Sequence, residues 1–131
     1  MIEINNLTKN KINEKEIKNL VNIFLGKYKI KDNLSIAIIG DSRMREINYL
    51  YRGYDKTTDV LSFGDLNEIL LNFSQIRRQA KEYNKETEEE FYFILVHGLL
   101  HLAGFCDEKE SDRLKMIDLG NKFLSKYNKS F

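Results

Sequence analysis

Phe91-Tyr92-Phe93-Ile94-Leu95-Val96-His97-Gly98-Leu99-Leu100-His101-Leu102-Ala103-Gly104 is apolar at nearly every position except two histidines. Thr87 with Glu90 three residues on predicts a capping box, and Glu88 and Glu89 suit the positive end of a helix. The run that follows predicts a helix buried on most of its circumference, ended by Gly104. His97 and His101 are the only histidines in the chain. Four residues apart, they share one helix face about 6 Å apart along the axis. Two imidazoles so placed can converge on one Zn²⁺, which binds nitrogen at about 2.0–2.1 Å. Two core histidines satisfied by hydrogen bonds are the alternative, but a shared metal would pair both at once.

A third ligand has two candidates. Asp107 lies beyond the Gly104 turn, and Cys106 lies one residue earlier with a thiolate that also binds zinc. Spacing leaves the choice open; Asp107 could instead cap the last helix and Cys106 could be a small buried hydrophobe. Gly98 stands where zinc proteases of the His-Glu-x-x-His type place their general base, so a protease mechanism lacks its proton acceptor. A residue without a side chain there also lets another segment, or a substrate, approach the helix closely.

Outward from this helix the pattern alternates. Ile2 and Ile4 predict a short first strand. Asn13 with Glu16 predicts a helix start, Ile17, Leu20, Val21 and Phe24 its buried face, and Gly26 its end. Leu34 to Ile39 reads as a buried strand, followed by a helix carrying Met44, Ile47 and Leu50-Tyr51 on one face up to Gly53. Val60 to Phe63 and Leu66 to Phe73 read as a strand pair. A third helix carries Ile76, Ala80 and Tyr83. The last helix runs from about Glu110 to Tyr127, with Leu114, Ile117, Phe123-Leu124 and Tyr127 facing inward. The expected fold is a single α+β domain over residues 1–131, a mixed four-stranded sheet with about five helices and a zincin-like metal-binding helix.

With 131 residues, 42% hydrophobic and 31% charged, the chain can bury a real core, which excludes a long disordered protein. Lys and Arg number 21 against 20 Asp and Glu, so a strongly basic nucleic-acid binder is excluded, though not a local basic face. One cysteine asks for no oxidising compartment. No apolar run approaches a membrane span and no secretory signal is visible, so a cytoplasmic location is expected.

His97-Gly98-Leu99-Leu100-His101-Leu102-Ala103-Gly104-Phe105 resembles the H-G-x-L-H-L-x-G-Y-D-H signature of the YbeY family of metal-dependent endoribonucleases. Tyr51-Arg52-Gly53-Tyr54-Asp55-Lys56-Thr57-Thr58-Asp59-Val60-Leu61-Ser62-Phe63 is similar to that family's Y-R-x-x-D-x-P-T-D-V-L-S-F, and Arg78 to Tyr83 to its helix before the metal helix. The resemblance implies one Zn²⁺ per chain held by His97, His101 and Asp107, with Arg52 as the catalytic arginine. It implies cleavage of single-stranded RNA in maturation of the small-subunit ribosomal RNA 3′ end and in ribosome quality control. Ribosomal RNA and the small ribosomal subunit are then the partners, with no membrane. The family's third histidine falls at Asp107 and its preceding aspartate at Cys106, while Thr57 replaces a proline and the stretch from Phe63 to Leu66 is short. A ribosome-assembly or RNA-binding factor with a degenerate or structural metal site is the alternative. Arg52 could otherwise pair with Asp55, Asp59 could orient the site or cap a turn, and Arg77, Arg78 and Lys81 could contact phosphates or only be solvated.

Overall fold

Period-two alternation builds the sheet. The computed structural model describes residues 1–129, with side chains through Tyr127. Its elements are β1 (Ile2–Asn6), α1 (Glu14–Lys27), β2 (Leu34–Ile39), α2 (Asp41–Arg52), β3 (Val60–Phe63), β4 (Glu68–Asn72), α3 (Phe73–Glu82), α4 (Thr87–Leu102) and α5 (Glu110–Lys129). The strand order is β1-β2-β4-β3. β1, β2 and β4 run parallel, while β3 is an antiparallel edge with Val60 opposite Leu71 and Phe63 opposite Glu68. Leu34, Ile36, Ile38, Ile69 and Leu71 join the larger core with Leu20, Phe24, Leu95, Leu99, Met116 and Phe123 of α1, α4 and α5. Ala37, Ile39, Leu61 and Leu70 form a second, smaller core with Met44 of α2. Each fully buried Leu or Ile contributes about 1.5–3 kcal/mol. The expected α+β domain, with a mixed four-stranded sheet and five helices, is the one observed; residues 130 and 131 lie outside the described residues.

Several expectations shift. The capping box of α4 uses Glu86 and Glu89, not Thr87 and Glu90. Glu90 is instead buried at 2% exposure. β4 starts at Glu68 because Asn67 adopts φ 50° and spends its side-chain amide on Lys31 O and Asn33 O, at 2.8 and 2.7 Å. Leu66 is left exposed in the turn. Leu50, Tyr51, Tyr83 and Leu114 are also exposed; the buried positions of α2 are Met44 and Asn48, and in α5 Met116 is buried in place of Leu114. α1 runs one residue past Gly26. No helix among the described residues is long and apolar enough to cross a membrane.

Candidate metal centre

α4 packs directly on β3 because residue 98 has no side chain. A Cβ at Gly98 would stand 3.1 Å from Val60 Cγ2, 3.2 Å from Ser62 Oγ and 3.3 Å from Ile69 Cγ2. Ser62 Oγ donates to Gly98 O at 3.0 Å across this contact. The segment that approaches the helix is therefore β3, and a glutamate at this position would have no room.

Past α4 the chain doubles back. Gly104 adopts φ 101°, a left-handed conformation that glycine takes without a Cβ penalty. Gly104 N donates to His101 O at 3.0 Å and Phe105 N to Leu100 O at 3.1 Å, satisfying carbonyls of the last helical turn. The reversal brings Asp107 back over the histidines. His97 Nε2 and His101 Nε2 each lie 3.3 Å from Asp107 Oδ2, and 3.2 Å from one another. Of the sequence candidates, His97, His101 and Asp107 form the cluster able to hold a metal ion. Cys106 is exposed and outside it, and Asp107 lies three residues before α5 begins at Glu110.

The triangle has the dimensions of a metal face. For bonds of about 2.0–2.1 Å, a tetrahedral site separates its ligand atoms by about 3.3–3.4 Å. His101 Nδ1 lies 3.2 Å from Phe105 O, a carbonyl that can only accept. The proton therefore sits on Nδ1 and the Nε2 lone pair faces the triangle. Burial, and secondly the neighbouring His101, push His97 below the usual histidine pKa and favour the neutral, ligating imidazole. Two imidazole nitrogens and a carboxylate oxygen are a donor set that suits zinc, and the residues fit the ion.

The triad opens into a cavity of about 660 Å³, whose walls include Arg52, Tyr54, Asp59, Tyr83 and Glu90. Arg52 ends α2 because Gly53 caps that helix at φ 75°. Its Nη2 lies 3.4 Å from Ser62 O and its guanidinium 6.0 Å from the Phe63 ring centre. Asp55 pairs with Arg45, at 2.8 Å, and not with Arg52. The loop after α2 is tied down by Asn48 Nδ2, which donates to Lys56 O at 2.9 Å. Asn72, fully buried, donates to Asp41 Oδ1, Thr57 Oγ1 and Thr58 O at 2.8, 2.8 and 3.1 Å. Arg77, Arg78 and Lys81 lie outside the cavity lining. Arg78 makes a two-pronged pair with Asp41, both contacts 2.8 Å, and holds that carboxyl down to about 2.

The same cavity has a polar wall of which sequence reading named only Asp59. Gln79 Nε2 donates to Asp59 Oδ2 at 3.2 Å and to Glu90 Oε2 at 3.0 Å. Lys85 Nζ binds Glu90 Oε1 at 2.7 Å. For Glu90 the signal was its place on the helix face that carries His97 seven residues later.

The family profile described as Endoribonuclease YbeY matches residues 3–128. The chain is similar to Endoribonuclease YbeY of Petrotoga mobilis, 36% identical over 130 residues and 92% of this chain and 90% of that one. The protein of that name from Nitratiruptor sp. is 38% identical over 102 residues, 72% of this chain and 69% of its own. That from Thermodesulfovibrio yellowstonii is 41% identical over 103 residues, 70% and 65%. The fold also resembles the solution structure of TM1509 from Thermotoga maritima, with TM-score 0.66 and 25% identity over 99% of this chain and 93% of that one. A triad able to hold a metal ion, two histidines of a buried helix and an aspartate beyond its end, lines one cavity with an arginine in a chain matched over nearly its whole length: it belongs to the endoribonuclease YbeY family, enzymes that cleave RNA phosphodiester bonds.

Proposed function

We propose that this protein is a zinc-dependent, single-strand-specific endoribonuclease acting in the cytoplasm on small-subunit ribosomal RNA, in 3′-end maturation and ribosome quality control. The observation that carries the catalytic part is the triangle of His97 Nε2, His101 Nε2 and Asp107 Oδ2, with edges of 3.2–3.3 Å, facing a cavity that also holds Arg52. These three residues would hold one zinc per chain, which when bound supplies Lewis acidity toward a phosphoryl oxygen or an attacking hydroxyl. Arg52 presents a permanent cation to the non-bridging phosphate oxygens, where negative charge grows in the transition state. The exposed rings of Tyr54 and Tyr83 flank the cavity and suit unstacked bases, which favours single strands over duplex. The ribosomal role, with ribosomal RNA and the small subunit as partners, rests on family membership.

The test is cleavage of matched single-stranded and duplex ribosomal RNA segments by zinc-loaded protein and by Arg52→Ala. Cleavage of the single strand alone is expected, lost in Arg52→Ala while zinc content and melting temperature hold. Normal cleavage by that variant removes Arg52 from the mechanism. The second reading, an RNA-binding assembly factor, draws on Asp107, whose carboxylate makes a bound zinc a weaker Lewis acid than a third imidazole would. Zinc-dependent RNA binding with no cleavage would select it.

A further inference from the structure

Hydrolysis or internal transfer at a phosphodiester requires a group that takes the proton of the attacking hydroxyl, and α4 offers none at Gly98. The cavity holds two carboxylates besides Asp107: Asp59, before β3, and Glu90, on α4. Glu90 is 2% exposed and has both oxygens engaged, by Lys85 Nζ at 2.7 Å and Gln79 Nε2 at 3.0 Å. Asp59 is half-buried. Its Oδ2 accepts from Gln79 at 3.2 Å, whereas its Oδ1 has only a 3.5 Å contact from the Thr58 hydroxyl. It lines the same cavity as His97 and His101.

Gln79 is saturated in one orientation. Its Oε1 accepts from Gln75 Nε2 at 3.1 Å, so its two amide hydrogens must point at the two carboxylates. An amide whose hydrogens diverge by about 120° holds two such oxygens roughly 5.4 Å apart. Glu90, buried and paired with the half-buried Lys85, is the fixed end of this clamp and Asp59 the end that faces the cavity.

We propose that Asp59 is the proton-accepting carboxylate of the site and that Gln79 is a positioning residue that holds it there. This rests on the endoribonuclease reading and deepens it. In the step, the attacking hydroxyl loses its proton to Asp59 Oδ1 while its oxygen bonds to phosphorus. The bond from phosphorus to the leaving oxygen breaks, and that oxygen departs with the electron pair and takes a proton from solvent.

The experiment compares full-length, zinc-loaded wild type with Asp59→Asn, Gln79→Leu and the double variant on one single-stranded oligoribonucleotide. Zinc content and melting temperature are measured on each. Asp59→Asn is expected to lower kcat by about 10²-fold or more, as loss of a general base does, with KM and zinc content unchanged. Gln79→Leu is expected to lower kcat by roughly 10-fold, the low end for partners that orient a reacting group. The double variant is expected to be no slower than Asp59→Asn, because Gln79 acts through Asp59. Should Gln79→Leu not fold, Gln79→Asn, one methylene too short to span both carboxylates, makes the same comparison. A wild type that cleaves no RNA overturns the endoribonuclease reading and this proposal together. An active wild type whose Asp59→Asn variant keeps its kcat, or losses that multiply in the double variant, overturns this proposal alone.

Discussion

Replacing Gly98 with alanine tests the contact on which the site is built. In an unconstrained helix the change is favourable, by about 0.8–1.0 kcal/mol of helix propensity. Here the new methyl would meet three side chains at 3.1, 3.2 and 3.3 Å. Two of those atoms are the γ-methyls of Val60 and Ile69, β-branched residues with restricted rotamers on a sheet, and the third is the Ser62 hydroxyl bonded to Gly98 O. None can swing aside, so overpacking is expected at about 2–3 kcal/mol, the upper part of its usual range. The net is a loss of about 1–2 kcal/mol. Unfolding entropy of about 2.1 cal/mol/K per residue gives roughly 0.28 kcal/mol/K for 131 residues, so the melting temperature should fall by about 4–7 °C. Gly120→Ala is the matched control, since its Cβ would make ordinary contacts of 3.8 Å to Val96 Cγ1 and 4.0 Å to Leu100 Cδ1. It keeps the propensity gain and should raise the melting temperature by about 3 °C. Both are read by circular dichroism melting of chelator-treated protein. An unchanged or higher melting temperature for Gly98→Ala would refute the close approach of α4 to β3.

Elemental analysis should find about one zinc per chain, lost in His97→Ala and His101→Ala, reduced in Asp107→Ala and retained in Cys106→Ala; loss in the cysteine variant instead would move the third ligand. Asp41, held at about 2 by Arg78, is depressed below its unfolded value near 3.8. Its stabilisation is thus complete above about pH 4 and lost as pH falls toward 2, and Asp41→Asn should flatten that part of an acid-unfolding curve. Arg52, Lys56 and Arg113 balance Asp59, Glu90 and Asp107 in the cavity lining, so one zinc takes its formal charge from zero to +2. Zinc loading should therefore steepen the salt dependence of single-stranded RNA binding by about 1.4 in log–log slope, and an unchanged slope would place the RNA elsewhere.

What was legible in the sequence is what local spacing encodes. The apolar run of α4 and the four-residue interval of its histidines need no knowledge of distant contacts. The same holds for β2 and for the capping Asn13 of α1. The misread parts depend on partners far along the chain. Glu90 looks like a first-turn acid until Gln79 and Lys85 close on it, and the cap passes to Glu86 and Glu89. Arg45, ten residues from Asp55, takes the partner that Arg52 might have had. Cys106 and Asp107 differ by one position after a left-handed glycine, so spacing left the third donor open, and the family resemblance and the geometry of that turn both give Asp107.

The absence of an acid at position 98 of α4 and the presence of one before β3 have a common cause. A zinc hydrolase helix that carries its base beside the first ligand histidine needs space there for a carboxylate. In this chain that space is filled by Val60, Ser62 and Ile69. The strand that displaces a helix-borne base is, however, brought against the histidines by the same contact. Asp59 immediately precedes that strand, where its backbone carbonyl accepts from Asn72 N at 2.9 Å. An acid in this position is held by the sheet through its backbone and by Gln79 through its side chain, and needs no room on the helix. The glycine and the aspartate are thus parts of one solution, so restoring a glutamate at position 98 should not rescue Asp59→Asn: the new carboxylate would have to separate α4 from β3 before it could reach the cavity.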